Sequence, residues 1–416
     1  MKFPLPKVGL KQIRKFLAIF LAVGLVFAAG YFAGTSNIAL KLQGKPKVTI
    51  TRTLPAGHED LDFSLFWAVW DRLSQSYFDK TKLDPAKMVY GAISGMVAAV
   101  GDPYTVFLPP EENKLTQEDL EGNFDGVGIQ IGFKGTQLAV IAPLPGTPAE
   151  TAGVKAGDFI IEIRDEKREI DMGTVGITLP EAVKAIRGPA GTSVMLILLR
   201  EGVDEPIEVE IRRASIDVPS VIVTYVGDNQ DIAQIKLLKF GGSTNGEWDK
   251  VVRDIVKNPK VKGIIVDVRN NPGGFLQSSV DIAGEFVETG KTVVIQEMTS
   301  GSREEFTATG LARLKSYPTV VLVNQGSASA SEILAGALRD IRNLKLVGET
   351  TFGKGTIQEP QDLDGGAGIH ITVAKWLTPK GTWVNDNGLE PDVKIEDNPD
   401  TAEDEQLQEA IGLLTK

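Results

Sequence analysis

The sequence predicts a multidomain α/β protein: an N-terminal membrane helix, a short helical segment, a β-rich module with a few short helices, and a larger α/β core. Three observations predict it. The chain has 416 residues, 42% hydrophobic and 24% charged, and at roughly 100–200 residues per domain it has room for two to four domains. An uncharged apolar run, Phe16 to Ala33, follows a cluster of basic residues. From about Thr116 short strands alternate with glycine turns, and from about Ile207 longer strands alternate with helices, the pattern of a sheet covered by helices.

The N-terminus reads as an address. Lys2, Lys7, Lys11, Arg14 and Lys15 precede the apolar run. At about 1.5 Å per residue that run, with its small flank, just spans about 30 Å of hydrocarbon. The basic flank stays in the cytoplasm, so the rest of the chain is expected outside a bacterial cell membrane, as a single-pass protein. Cleavage near Ala28-Ala29-Gly30 would instead release a secreted protein, but the run continues through Tyr31 and Phe32, which favours retention. The expected divisions are a basic segment 1–15, a signal anchor 16–34, a linker 35–60, a helical region 61–112, a β-rich module 113–203, a core 204–398 and a C-terminal tail 399–416.

Composition narrows the chemistry. A net charge of −11 argues against nucleic acid as a partner. The absence of cysteine removes disulfides, thiolate metal sites and a cysteine nucleophile. Only two histidines exist, His58 in the linker and His370 in an alternating stretch, and no acidic pattern around either suggests a triad.

The elements follow from periodicity and punctuation. Phe66, Val69, Trp70, Leu73 and Tyr77 recur at helical spacing. Asp84-Pro85 starts a second helix with the apolar stripe Val89, Ile93, Met96, Val97 and Val100, ended by Gly101-Asp102-Pro103. These helices, or the stretch Thr401 to Leu414, offer surfaces for a homodimer. Val127, Ile129 and Ile131 alternate, as do Phe159, Ile161 and Ile163. Thr147-Pro148-Ala149-Glu150 and Pro180 start short helices, and Ser193 to Leu199 is an apolar strand. In the core, Val261–Val268, Thr292–Ile295, Thr319–Val323 and Leu344–Val347 read as strands, and Phe275–Val287 and Ser331–Asp340 as helices.

Gly126-Val127-Gly128-Ile129 precedes a strand that continues through Gln130 and Ile131. Glycines there let backbone N–H groups face one concavity suited to a carboxylate. The strand behind could take an extended peptide on its edge. A tight hairpin turn would explain the glycines equally well.

Asn324-Gln325-Gly326-Ser327-Ala328-Ser329-Ala330-Ser331-Glu332 lies between a strand and a helix. A nucleophile there is exposed beside the positive end of a helix dipole. Ser329 and Glu332 also have capping-box spacing, and spacing alone does not choose among Ser327, Ser329 and Ser331. With histidine scarce, a lysine of lowered pKa is the other base for a hydroxyl. Lys354, in Thr351-Phe352-Gly353-Lys354-Gly355-Thr356, has small neighbours that permit close approach. Gly348 to Lys354 also fits the phosphate-loop spacing, but Gly355 stands where the magnesium-binding hydroxyl belongs. Asp267-Val268-Arg269-Asn270-Asn271-Pro272-Gly273-Gly274 ends a strand, and its paired glycines can aim a backbone N–H at an oxyanion or simply make a tight turn.

Together these residues resemble a known family. Pro148 to Ile163, with the glycine loop before it and Glu181 to Gly188 after it, resembles a PDZ domain. The chain as a whole resembles the carboxyl-terminal processing, or tail-specific, proteases through Gly101–Thr105, the PDZ segment, Asp267–Gly274, Gly326–Ile333, Phe352–Gln358 and Gly388–Val393. The resemblance implies a serine endopeptidase that captures the C-terminal tails of protein substrates on its PDZ domain, with a core similar to the crotonase-like fold and no cofactor or metal. It implies Ser329 as nucleophile, Lys354 as general base 25 residues later, Gln358 as the residue orienting it, and Asp340 as a further aspartate of the pattern. It implies Ala330 and one of Gly273 and Gly274 as the oxyanion hole. Gly126 to Ile131 would bind peptide, and Arg187 would couple capture to activity. Two alternatives stand beside this: an inactive PDZ scaffold, and an acyl-thioester enzyme, for which no coenzyme phosphate site is evident.

Overall fold

The computed structural model describes residues 62–144, 146–203, 205–396 and 403–415, which fall into two units, one ending at Ala86 and the other running from Lys87. The anchor and linker expected over 16–60 lie outside the described residues. Among the described residues no helix is long and apolar enough to cross a membrane.

In the first unit helix α1 (Ser64–Ser76) follows the predicted aromatic spacing, and Phe66 meets Trp67 edge-on at 4.9 Å. None of its residues is buried, and Leu65 is 74% exposed.

Helix α2 (Pro85–Ala98) starts as its sequence signal requires, with Asp84 Oδ1 accepting the Ala86 N–H at 2.9 Å. Its inner face is narrower than expected. Tyr90, Ile93 and Val97 pack on Phe107 and Ala367, whereas Met96 and Val100 turn outward. A short strand β1 (Val106–Leu108) and helix α3 (Pro110–Glu121) follow.

The chain then leaves the core through β2 (Asn123–Gly126). The module that follows contains β3 (Ile129–Lys134), β4 (Gln137–Pro143), α4 (Pro148–Thr151), β5 (Phe159–Asp165), β6 (Ile170–Gly173), α5 (Leu179–Ile186), β7 (Ser193–Leu199) and β8 (Ile207–Arg212). The chain returns through β9 (Ala214–Asp217), which pairs antiparallel with β2. The sheet order is β3-β4-β5-β7-β8, with β6 beside β5. Strand β8 pairs along β7, so the division expected between 203 and 204 falls inside a hairpin. Leu198 and Ile207 are partners across that hairpin. The expected alternation of Phe159, Ile161 and Ile163 is also shifted. A register break between Ile160 and Glu162 puts Ile160 and Ile163 in the core with Leu138, Leu196 and Leu198.

The core starts with β10 (Val221–Val226), β11 (Ile232–Leu237), α6 (Thr244–Lys257), β12 (Gly263–Asp267) and α7 (Leu276–Ala283). It continues with β13 (Thr292–Met298), β14 (Arg303–Thr307), β15 (Thr319–Val323), α8 (Ala330–Arg342) and β16 (Lys345–Gly348), and ends with β17 (Thr356–Asp362), β18 (Gly368–Leu377), β19 (Val393–Lys394) and α9 (Glu405–Thr415). One sheet has the order β10-β11-β12-β15-β16-β19, parallel from β11 onward. The continuous apolar runs of β12 and β15 suit strands buried on both faces. Ile264, Val266, Val321 and Val323 face α6, α7 and α8. Ile265, Val320, Leu322 and Val347 face Leu407, Ala410, Ile411 and Leu414 of α9. The C-terminal stretch therefore spends its apolar residues on its own sheet. A second sheet, β1-β18-β13-β14 with β17 beside β18, stands next to the first. The carboxyl ends of β11, β12, β15 and β16 all emit loops on one side, where open parallel sheets place their sites.

Candidate active site

Those loops form the wall of a cleft of about 530 Å³ that Ser329, Lys354, Gln358, Gly273, Gly274 and His370 all line.

The three serines after β15 separate by what their hydroxyls do. Ser327 donates to Val268 O at 2.8 Å and Ser331 to Asn271 O at 2.9 Å, and both side chains are fully buried. They tie the loop after β15 to the loop after β12. Ser329 alone of the three reaches the cleft. Its backbone is left-handed at φ 54°, ψ −115°, where a side chain is strained by roughly 1–3 kcal/mol. This elbow turns its hydroxyl out while its successor begins α8.

Glu332, one turn into α8 and fully buried, holds the elbow. Its carboxylate accepts the N–H of Ser329 at 2.8 Å, the Thr351 hydroxyl at 2.6 Å, and the N–H groups of Gly353 and Lys354 at 2.7 and 2.9 Å. Burial pushes its pKa up, and these hydrogen bonds pull against that. On the other side of the lysine, Trp376 Nε1 donates to Lys354 O at 2.8 Å, and Trp383 Nε1 to Gly355 O at 2.9 Å. The Lys354 backbone is thus fixed at both its N–H and its C=O.

The side chain is half-buried beneath this clamp. Burial lowers the amine's pKa from the ordinary 10.5, with the charges of Asp102 and Glu332 opposing the shift. Lys354 Nζ lies over the ring of Tyr104, 4.9 Å from its centre. Among the described residues no hydrogen bond joins it to Ser329 Oγ. In catalytic pairs such bonds often tighten only when substrate binds.

Gln358 lines the same cleft, but its amide donates to the hydroxyls of Thr356 at 2.9 Å and Thr372 at 3.0 Å. Asp340 does not join the site. It stands about 16 Å further along α8 by the helical rise, and its carboxylate accepts the Lys380 N–H at 3.0 Å. Facing from β18, His370 is pushed toward the neutral form by burial and then by the Lys354 charge.

The glycines are required by contact. A Cβ on Gly273 would stand 2.8 Å from Ser329 Cβ and 3.0 Å from Ala330 N, and one on Gly274 would stand 2.2 Å from Phe240 O. Gly273 spends its N–H on Asn271 Oδ1 at 2.9 Å. Among the described residues the N–H groups of Gly274 and Ala330 have no acceptor; Gly274 lines the cleft and Ala330 directly follows Ser329. Upstream, Arg269 fixes the end of β12. It donates to Asp267 at 3.0 and 2.8 Å and to both oxygens of Asp404, before α9, at 2.8 Å.

In the β-rich module, β3 is the free end of its sheet, and a narrow groove of about 70 Å³ separates it from α5. Val127, Gly128, Ile129, Ile131 and Arg187 line it with Phe124, Val183 and Ile186. Gly128 is left-handed at φ 78°, and a Cβ there would strike Thr147 at 2.4 Å. Two of the expected peptide-binding residues are elsewhere. Gly126 pairs with Ala214 in the ribbon β2–β9, and Gln130 points outward on the alternate face of β3. Arg187 stacks on Phe124 at 4.0 Å and pairs with Glu118 of α3 at 3.5 Å.

Sequence reasoning registered Glu332 only as a helix cap, although its spacing from Ser329 was the available signal. Trp376 gave no sign of its place, and Asn271 and Tyr104 stood only inside motifs of the resemblance, with no role read for either.

Known proteins share both modules of the chain. Peptidase family S41 matches residues 231–395, and the PDZ domain family matches residues 140–200. The carboxy-terminal processing protease CtpA of Bacillus subtilis is 36% identical over 361 residues, 87% of this chain and 74% of that protein. A carboxyl-terminal-processing protease of Synechocystis sp. is 36% identical over 416 residues, 97% of this chain and 94% of that one. A crystal structure from Bacteroides fragilis, of a protein assigned to the S41 proteases, shares the fold with a TM-score of 0.52 and 13% identity, covering 87% of this chain and 99% of that one.

Proposed function

The chain belongs to peptidase family S41, among the carboxy-terminal processing proteases, and from that premise we propose how its residues divide the work. It is a serine peptidase with a PDZ domain, a module suited to peptide or protein C-termini.

A substrate tail adds to β3 as a further strand, its carboxylate at the Val127–Gly128 turn. Ser329 Oγ attacks a peptide carbonyl in the cleft. The neutral Lys354 amine takes the hydroxyl proton, and the resulting ammonium gives it to the leaving amine. Water then repeats the cycle on the acyl-enzyme. The N–H groups of Ala330 and Gly274 hold the oxyanion. Gln358 orients the lysine when its amide turns from the two threonines, and Arg187, poised between the groove and Glu118, couples tail capture to the core.

The single observation behind this reading is that Ser329, held left-handed, and a desolvated Lys354 share one cleft and one buried carboxylate. The test is digestion of an unfolded protein with an apolar tail by wild type, Ser329→Ala and Lys354→Ala. Both variants should lose cleavage while still binding the tail. Undiminished cleavage by Ser329→Ala would leave only a peptide-holding protein.

Three finer readings go with it. We place the enzyme outside the cytoplasm, held by the apolar run 16–34 and its basic flank. Parallel strands feeding N–H groups at the starts of α7 and α8 support a crotonase-like core. The exposed apolar residues of α1 support a homodimer through the N-terminal region.

A further inference from the structure

Tyr104 lies in the turn from Gly101 to Thr105, to which the dyad and the oxyanion hole assign no task. The face of its ring is 4.9 Å from Lys354 Nζ. The turn is built to keep that ring in place. Asp102 Oδ1 accepts the Tyr104 N–H at 3.1 Å, and Asp102 Oδ2 accepts the Thr105 hydroxyl at 2.6 Å. The Thr105 oxygen in turn accepts the Thr372 N–H of β18 at 3.1 Å. The Thr372 hydroxyl accepts the Gln358 amide at 3.0 Å. The next residue, Val106, pairs with His370. The turn is therefore anchored on the strand that forms one wall of the cleft.

A lysine base has two needs that oppose each other. It must be dry enough to lose its proton near neutrality, yet once it takes the serine's proton it is an ammonium with little water around it. An aromatic face meets the second need without adding water, because its negative quadrupole attracts a cation. Burial, with the carboxylates Asp386, Asp102 and Glu332, holds the phenol above its ordinary value of 10.0, so the ring stays neutral.

Resting on the serine–lysine reading, we propose that Tyr104 is a positioning residue for the base: its ring face receives the Lys354 ammonium after proton uptake, and Asp102, through Thr105, sets the ring. In each half-reaction the O–H bond of Ser329 or of water breaks and an N–H bond forms on Lys354. The ammonium rests against the ring until the proton passes to the leaving nitrogen or back to Ser329. Besides the Tyr104 phenol, which both variants remove, the charged and titratable groups around Lys354 and the ring are Asp102 on the turn, Glu332 on α8, His370 on β18 and Asp386, and none of these is altered in the test.

The test compares kcat/KM against pH on an unfolded, tail-bearing protein for wild type, Tyr104→Phe, Tyr104→Leu and Ser329→Ala. Tyr104→Phe keeps the face and should stay within about twofold of wild type with the same acid limb. Tyr104→Leu keeps the site dry but removes the face. Its kcat/KM should fall roughly three- to thirtyfold and its acid limb should move down by about half a pH unit to one unit. A Tyr104→Leu profile superimposable on wild type overturns the proposal, as does a loss of rate with no movement of the limb, which marks a merely structural residue. A Tyr104→Phe loss equal to that of Tyr104→Leu also overturns it, since the hydroxyl would then be what matters. An active Ser329→Ala enzyme would instead refute the dyad itself, so the two failures are distinguishable.

Discussion

Ser329 and Lys354 are joined through their backbones: the Glu332 carboxylate accepts the N–H of Ser329 at 2.8 Å and of Lys354 at 2.9 Å. The side chains that react are free to move, while the peptide groups that aim them are locked to one buried group. A carboxylate suits this place because it only accepts hydrogen bonds, and every neighbour aimed at it donates.

Replacing Glu332 with Gln puts an NH2 group among those donors. At least one buried N–H loses its partner, at about 1–3 kcal/mol. Glu332→Gln is expected to lower kcat by roughly ten- to a hundredfold, with a lower melting temperature and little change in tail binding. Steady-state cleavage, calorimetry and a tail-peptide titration check it. Unchanged kcat would mean the elbow is held by other contacts.

Lys354 costs the fold stability at pH values below the amine's ordinary pKa. Its folded-state pKa is lowered by burial while the unfolded chain keeps the ordinary value. Between those two values the unfolded chain binds more protons, so wild-type stability rises with pH across that window. Lys354→Met removes the buried charge. The inactive variant should melt a few degrees higher than wild type at pH 7, and the gap should narrow as pH rises through the lowered value. A melt lower than wild type at pH 7 would show that the amine is well solvated.

His370 faces the same cleft and is the one histidine that lines it. Because its pKa is pushed down, it is neutral near pH 7. His370→Gln should keep kcat within about tenfold of wild type and leave the acid limb of the pH profile in place. Disappearance of that limb would make the histidine the base.

Arg269 is buried between Asp267 and Asp404, so the last helix bears on the oxyanion loop. Asp404→Ala strips one carboxylate from a guanidinium that is mostly out of water. A stability loss of about 1–2 kcal/mol is expected, together with reduced kcat as the loop after β12 relaxes. Denaturant unfolding and cleavage assays measure the two effects. A variant fully active and fully stable would detach the tail helix from the site.

Much of this was legible in the chain. The apolar runs Ser193–Leu199 and Thr319–Val323 set the limits of β7 and β15 as expected, since a short unbroken apolar run bounded by polar residues leaves little ambiguity. The end of the β-rich module was not legible, because a polar hairpin and a linker share a composition and only the pairing of β8 on β7 separates them. The choice among three serines was not legible from spacing either. It depends on the left-handed backbone at Ser329 and on the carbonyls of Val268 and Asn271, roughly sixty residues earlier, that occupy the other two hydroxyls. Asp340 came only from the family resemblance, and it stands near the far end of α8, where its carboxylate accepts the Lys380 N–H.

The central claim is that the Lys354 amine takes the Ser329 proton, and the pH dependence of kcat/KM tests it most directly. With wild-type enzyme and an unfolded, tail-bearing protein, cleavage should rise with pH through a single ionisation below lysine's ordinary 10.5, as the amine loses its proton. A rate that climbs only at or above that ordinary value would contradict the account.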